Sequence, residues 1–194
     1  MRVTAHVDSP VVGIDAWATP LDGPLSWAYA MRAHDRGEQI PPPPTASTEA
    51  ADFPLPLERW ERDGWWGWRS SRAHVDAPTH TAVEVRRKPA TAPMSLWTSD
   101  AKHHTGLGPM KARNVTRAAI VARTIWWDVE ATDADDLSNL LTFITHVGAR
   151  HNAGCGHVSH WAIDDIDGDW TDRDWPPSAA CRAPYWHPSR RRKS

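Results

Sequence analysis

The stretch Gly148-Ala149-Arg150-His151-Asn152-Ala153-Gly154-Cys155-Gly156 places three glycines, an arginine and a histidine within one short segment. Glycines let a backbone pass close to a bulky group. Arg150 and His151 are the residue types that meet a phosphate there. The order is the reverse of a dinucleotide site, in which a strand precedes the glycines and a helix follows them. A Gly-Lys-Ser/Thr phosphate loop is also absent. A helix cap followed by a tight turn with no ligand accounts for the same residues and stands as the plain alternative.

Histidine is the other reactive type, with 11 in the chain, among them His74, His80, His103, His104 and His151. Histidine is the side chain best suited to general acid and base chemistry near neutral pH. Scattered singly over loops, these residues have no partner fixed by spacing. Metal hydrolysis has less support. His103 and His104 are adjacent and point apart, and Cys155 and Cys181 lack ligand spacing. No metal and no cofactor are expected.

The elements that must position these residues can be read from periodicity. Arg2 to Val7 alternates as a half-buried strand. Asp22-Gly23-Pro24 starts a helix, with Asp22 as cap, Pro24 in the first turn, and Leu25, Ala28, Tyr29 and Arg32 at helical spacing. Pro41 to Pro44 is an extended connection. Trp60 to Ser71 is dense in Trp and Gly. His74 to Val85 is strand-like, interrupted at Pro78. Residues 86–116 read as an inserted irregular arm, and Ala118 to Val129 as the strongest strand. Thr132 is the expected cap of a second helix, with Asp133, Asp135 and Asp136 at its positive end. Its stripe is Leu137, Leu140, Leu141, Ile144 and Val147, closed by Gly148. A last strand runs from His157 to Ile163. Core packing is the expected role of Trp126, Trp127 and Trp161, whereas Trp65, Trp66 and Trp68 could serve an interface. The order fits an α+β, ferredoxin-like (RRM-like) βαββαβ domain, an architecture that hosts many unrelated functions.

Composition narrows the class. A chain of 194 residues with 17 Pro and 11 Gly is one loop-rich domain and not a helical bundle. The two cysteines suit a reduced, cytoplasmic setting. No apolar run approaches the ~20 residues of a membrane span, so no membrane partner is expected. The net charge of −2 is distributed in blocks. Lys102, Lys111, Arg113, Arg117 and Arg123 lie in an acid-free run from Ala101 to Trp127, five acids follow by Asp136, and the chain ends on Arg190-Arg191-Arg192-Lys193. Cations so grouped can pair with successive phosphates.

The segment Gly148 to Trp161 resembles the C-terminal glycine-rich signature of the RAMP superfamily of CRISPR-associated proteins. There a helix ends in Gly-x-basic, continues through Gly-aromatic-Gly-x-Val and enters a strand ending in Trp. Cys155 stands where an aromatic is common. Leu21-Asp22-Gly23-Pro24-Leu25-Ser26-Trp27-Ala28 is similar to the start of that superfamily's first helix, and Gly106-x-Gly108-Pro109-x-Lys111 to the base of its protruding hairpin. Among its members the pattern looks most like the subunit that caps the 5′ handle of the guide RNA, the type IV version in particular. The resemblance implies a non-catalytic RNA-binding domain over residues 1–172, followed by a flexible Pro/Arg-rich tail at 173–194. It implies as partners the 5′ handle of CRISPR RNA and the backbone and large subunits of an effector complex, with target DNA as a further candidate. The RNA-binding residues it suggests are Lys102, His104, Lys111, Arg113, Arg117, Gly148, Arg150, His151, Gly154 and Gly156. A metal-independent endoribonuclease of the RAMP type, acting on the RNA 2′-hydroxyl with His74 or His104 as base and Lys111 stabilising charge, is the alternative.

Overall fold

A computed structural model of the chain describes residues 1–14, 19–40, 53–62, 65–87 and 113–173. The opening strand is β1 (Arg2–Val7), which buries Val3, Ala5 and Val7 and turns Arg2, Thr4 and His6 to the other face. After it come β2 (Val11–Val12), α1 (Asp22–Asp35), β3 (Arg59–Arg62), β4 (Trp65–Trp68), β5 (His74–Val75) and β6 (Thr79–Arg87). The chain resumes with β7 (Arg113–Val121), β8 (Thr124–Asp128), α2 (Ala134–Leu141), a 3-10 turn at His151–Ala153 and β9 (Val158–Asp164). Among the described residues the architecture is α+β, with mostly antiparallel sheets and two α-helices.

The main sheet has the order β5-β8-β1-β9, each neighbour antiparallel. Val3 lies between Trp127 and Ile163, and Ala5 between Ile125 and Trp161. This apolar face packs against Leu25 and Ala28 of α1 and Leu137, Leu140 and Leu141 of α2. Each buried leucine contributes about 1.5–3 kcal/mol relative to exposure. Trp127 is fully buried, and its indole N–H donates to the Thr19 carbonyl at 2.8 Å. Trp161 donates likewise to the Ile144 carbonyl at 2.9 Å. Both satisfy their polar tips, as buried indoles must. Trp126 is different: it is half-buried on the opposite face, stacked with His74 at 5.3 Å.

Residues 86–87 and 113–116, expected within the irregular arm, are regular paired strand, and 88–112 lie outside the described residues. β6 and β7 pair from Thr79↔Val121 to Arg87↔Arg113, and β2 adds Val11↔Ile120 and Val12↔Ala119 at the foot. Ala118 to Val129 is therefore not one strand. It breaks at Ala122–Arg123, with β7 in the ribbon and β8 in the main sheet.

Three helix boundaries also differ from expectation. Leu21, not Asp22, is at the cap position of α1; Asp22 is the first helical residue and fully buried. The cap of α2 is Asp133 and not Thr132, its carboxylate accepting from the amides of Asp135 and Asp136. α2 stops at Leu141, well short of Val147. Bonds from the amides of Phe143 and Ile144 to the carbonyls of Leu140 and Leu141 tighten the last turn, which keeps Ile144 on the buried side without further helix.

After β9 the chain folds back as a strap. The Asp169 amide donates to Asp128, the Arg72 guanidinium bonds Asp172 at 3.1 Å, and the Arg173 guanidinium donates to the Ser70 carbonyl at 3.2 Å. Arg173, the first residue of the expected tail, is thus docked on the body, while 174–194 lie outside the described residues.

Candidate nucleic-acid interface

The glycine segment is a tightly tied loop between the end of α2 and β9. Gly148 has φ +83°, and a Cβ there would meet the Val12 carbonyl at 2.6 Å. Gly156 has φ +73°, and a Cβ would lie 1.9 Å from the Val147 carbonyl oxygen. The close approach these two glycines permit is therefore to this protein's own backbone. Gly154, at φ +76°, faces open space: a Cβ added there would meet nothing within 4 Å. Backbone bonds from Ala149 to Val12, from Gly156 to Pro10 and from Val147 to Gly156 hold the loop in place.

Arg150 is left-handed at φ 66°, a conformation that costs a non-glycine residue about 1–2 kcal/mol. Its exposed guanidinium makes no ion pair among the described residues. Cys155 is buried in a small cluster with Val12 and Ala119, against Val83. Its place is at the foot of the ribbon, away from solvent.

That contact sets the relation of loop to ribbon. Arg117 is the register partner of Val83, and alternation puts Arg113, Arg117 and Ala119 on one face of β7. The loop therefore sits at the foot of the face that carries both arginines. Arg113 and Arg117 are exposed and, like Arg150, have no ion-pair partner among the described residues. The opposite face is neutralised locally, since Glu84 binds Arg86 at 2.8 Å and also accepts from Asn114. Lys102, His104 and Lys111 lie outside the described residues.

His151 belongs to a cluster of rings that sequence spacing does not announce. Its Nε2 lies 2.9 Å from the Gly148 carbonyl, so that nitrogen carries the proton. His146 stacks on His151 with centroids 5.3 Å apart and meets His157 edge-on at 5.2 Å. His157 Nδ1 is 2.8 Å from the Asp8 carboxylate. Burial first, then the neighbouring His151 and His157, hold His146 below the ordinary histidine value of 6.5. Pairing of His146 with His157 across an isolated bridge brings the rings together.

The outer face of the main sheet carries a second set of rings. His6 and His160, register partners on β1 and β9, stack at 3.9 Å with 11° between planes. Arg2 lies over Trp126 at 5.3 Å and bonds Asp128 through two nitrogens at 2.9 and 3.2 Å. His74 is mostly buried between Trp126 and the strap, 3.7 Å from Asp172, and burial lowers its pKa. Burial disfavours its charged form and also limits its access. The strap covers this end of the sheet and leaves the His6–His160 end exposed.

Among the described residues no group of three His, Cys, Asp or Glu side chains could hold a metal ion, and no helix is long and apolar enough to cross a membrane. Comparison with models of known families and with curated proteins finds no match.

Proposed function

We propose that the chain is a non-catalytic RNA-binding subunit of the RAMP type, capping the 5′ handle of CRISPR RNA in a multi-subunit, cytoplasmic effector complex of the type IV kind. The observation that carries this reading is the joining, through Cys155, of the Arg150 loop to the ribbon face bearing Arg113 and Arg117. Three exposed cations without acidic partners among the described residues can each take a phosphate. Stacked rings at His146–His151 and His6–His160 offer flat surfaces for unpaired bases. The sheet order β9-β1-β8-β5, with both helices on one face, supports the ferredoxin-like assignment. Backbone and large subunits, and target DNA, are the partners that go with this role.

A tagged chain co-expressed with its genomic neighbours tests it, by sequencing the RNA that co-purifies. The expected result is repeat-derived RNA with a uniform 5′ end, left uncut by the isolated chain. Gly154→Arg combined with Arg150→Ala blocks the loop without a clash in the core, and assembly then weakens. Unchanged assembly would remove the loop from the interface.

The His146, His151 and His157 cluster favours one second reading, metal-independent RNA cleavage, because imidazoles held side by side are the groups that serve as general base and general acid. Cleavage that survives a chelator and is lost in His151→Ala would replace capping by processing.

A further inference from the structure

Between α1 and the chain entering the glycine loop lies an open groove of about 640 Å³. Small-ligand sites fall in the range of ~300–1,000 Å³. Trp27 and Ala30 of α1 line it on one side, Ile144 and Gly148 on the other, and His146 and His151 border it as well. None of its described lining residues is a carboxylate. Trp27 is 53 % exposed, in contrast to the fully buried Trp127. An indole at the wall of a groove, uncovered and on a rigid helix, is an unsatisfied flat apolar surface. Next to the groove, Arg150 follows Ala149 and precedes His151 with its guanidinium unpaired among the described residues. The site thus combines an apolar slot with one adjacent positive charge and no negative one among the described residues. A flat apolar ring attached to an anion is the occupant that satisfies both.

We infer that this groove receives one unstacked nucleobase of single-stranded RNA, with Trp27 as the stacking surface and Arg150 on the adjoining phosphate. The inference rests on the RNA-binding reading and adds to it a subsite that reads a base and not the backbone. Single-stranded RNA is bound by such splayed-out bases, each stack contributing about 5- to 150-fold in affinity. Gly148 lines the groove, and its missing side chain admits β2 behind it, since a Cβ there would meet the Val12 carbonyl at 2.6 Å.

The test uses the full-length chain and two probes, octaadenylate and an abasic octamer with the same ribose-phosphate backbone, followed by fluorescence anisotropy. Octaadenylate is expected to bind more tightly than the abasic octamer. Trp27→Ala should cost about 5- to 150-fold on octaadenylate and leave the abasic octamer unchanged. Ala30→Trp, which fills the groove, should do the same, and Trp27→Phe should restore part of the difference. If both octamers bind equally and Trp27→Ala changes neither, the base subsite is wrong while RNA binding through charge stands. If neither octamer binds, the subsite and the RNA-binding reading fall together. If Trp27→Ala and Ala30→Trp spare octaadenylate but abolish assembly with neighbouring subunits, the groove docks protein and the inference is overturned.

Discussion

The guanidinium of Arg173 stands 4.0 Å from the carboxylate of Asp22, so the strap supplies the counter-charge for the first turn of α1. Asp22 is fully buried and neither carboxylate oxygen has a hydrogen-bond partner among the described residues. Burial raises its pKa above the ordinary 3.8, opposed by Arg173 and by the amides at the helix start. The folded chain therefore keeps a proton that the unfolded chain loses, and stability falls as pH rises from 3.8 toward the folded pKa. Arg173→Met should destabilise by up to about 3 kcal/mol at pH 7 to the extent that Asp22 is ionised there, the usual result of orphaning a buried charge. The loss should be smaller at pH 4, because protonation of Asp22 removes the charge that Arg173 answers. Asp22→Asn should flatten the pH dependence. Urea denaturation at the two pH values measures all of this, and equal losses at both would dissociate Arg173 from Asp22.

His74 gives a second pH signature of opposite sense. Burial, its largest influence, lowers the His74 pKa below 6.5, while Asp172 pulls the other way. Below pH 6.5 the unfolded chain takes up a proton that the folded chain resists, so stability drops as pH falls through that window. His74→Gln should remove this part of the slope. Melting temperatures from pH 7.5 to 5.5 give the comparison, and an unchanged slope would place the titration elsewhere, with His146 the next candidate.

Salt dependence separates phosphate contacts from other kinds of binding. Arg113→Ala, Arg117→Ala and Arg150→Ala should each lower the slope of log affinity against log salt by about 0.7, the value per phosphate on a single strand. A control on the ribbon's other face, Arg86→Ala, should leave the slope alone because Arg86 is already paired with Glu84 at 2.8 Å. Titrations of single-stranded RNA at several salt concentrations give each slope. Equal effects from Arg86 and Arg117 would mean that the ribbon has no preferred face.

The loop glycines make a stability contrast. Gly156→Ala forces a carbon to 1.9 Å from the Val147 oxygen and adds left-handed strain, so a loss of about 3 kcal/mol or more is expected. Gly154→Ala has the strain without the clash and should cost only about 1 kcal/mol. Denaturant midpoints of the two variants decide the point, and equal values would contradict the packing described.

Much of the local structure was legible because local chemistry dictates it. The Leu137–Leu141 stripe, the acidic start of α2 and the alternation of β1 each need only neighbours in sequence. The break at Ala122–Arg123 was not legible, because Ile120, Val121, Ile125 and Trp126 are equally good strand residues on both sides of it. Which sheet each half joins depends on distant partners, Val11 and Val12 for β7 and Val3 and Ala5 for β8. The end of α2 was hidden for another reason: a tightened turn buries Ile144 as a continued helix would. At the loop, the left-handed glycines could be anticipated from composition, but not that Gly148 makes room for Val12. The His146, His151 and His157 rings have no common period and meet only once the chain closes on itself.

The foot of the ribbon fixes how far its outer end can wander. β5 and β8 are paired, Val75 with Ile125, and the two ribbon strands leave them through short joints at Asp76–Pro78 and Ala122–Arg123. Two joints side by side form a hinge with one bending axis and high resistance to torsion, and β2 clamps β7 just beyond it. Nine paired positions at ~3.4 Å each make a lever of about 30 Å. A tilt of about 5° at the foot then carries the outer end through roughly 3 Å, the difference between a formed and a broken contact. Packing and backbone bonds at Ala119, Val12 and Cys155 therefore set, by leverage, where the ribbon's paired end at Arg87 and Arg113 stands.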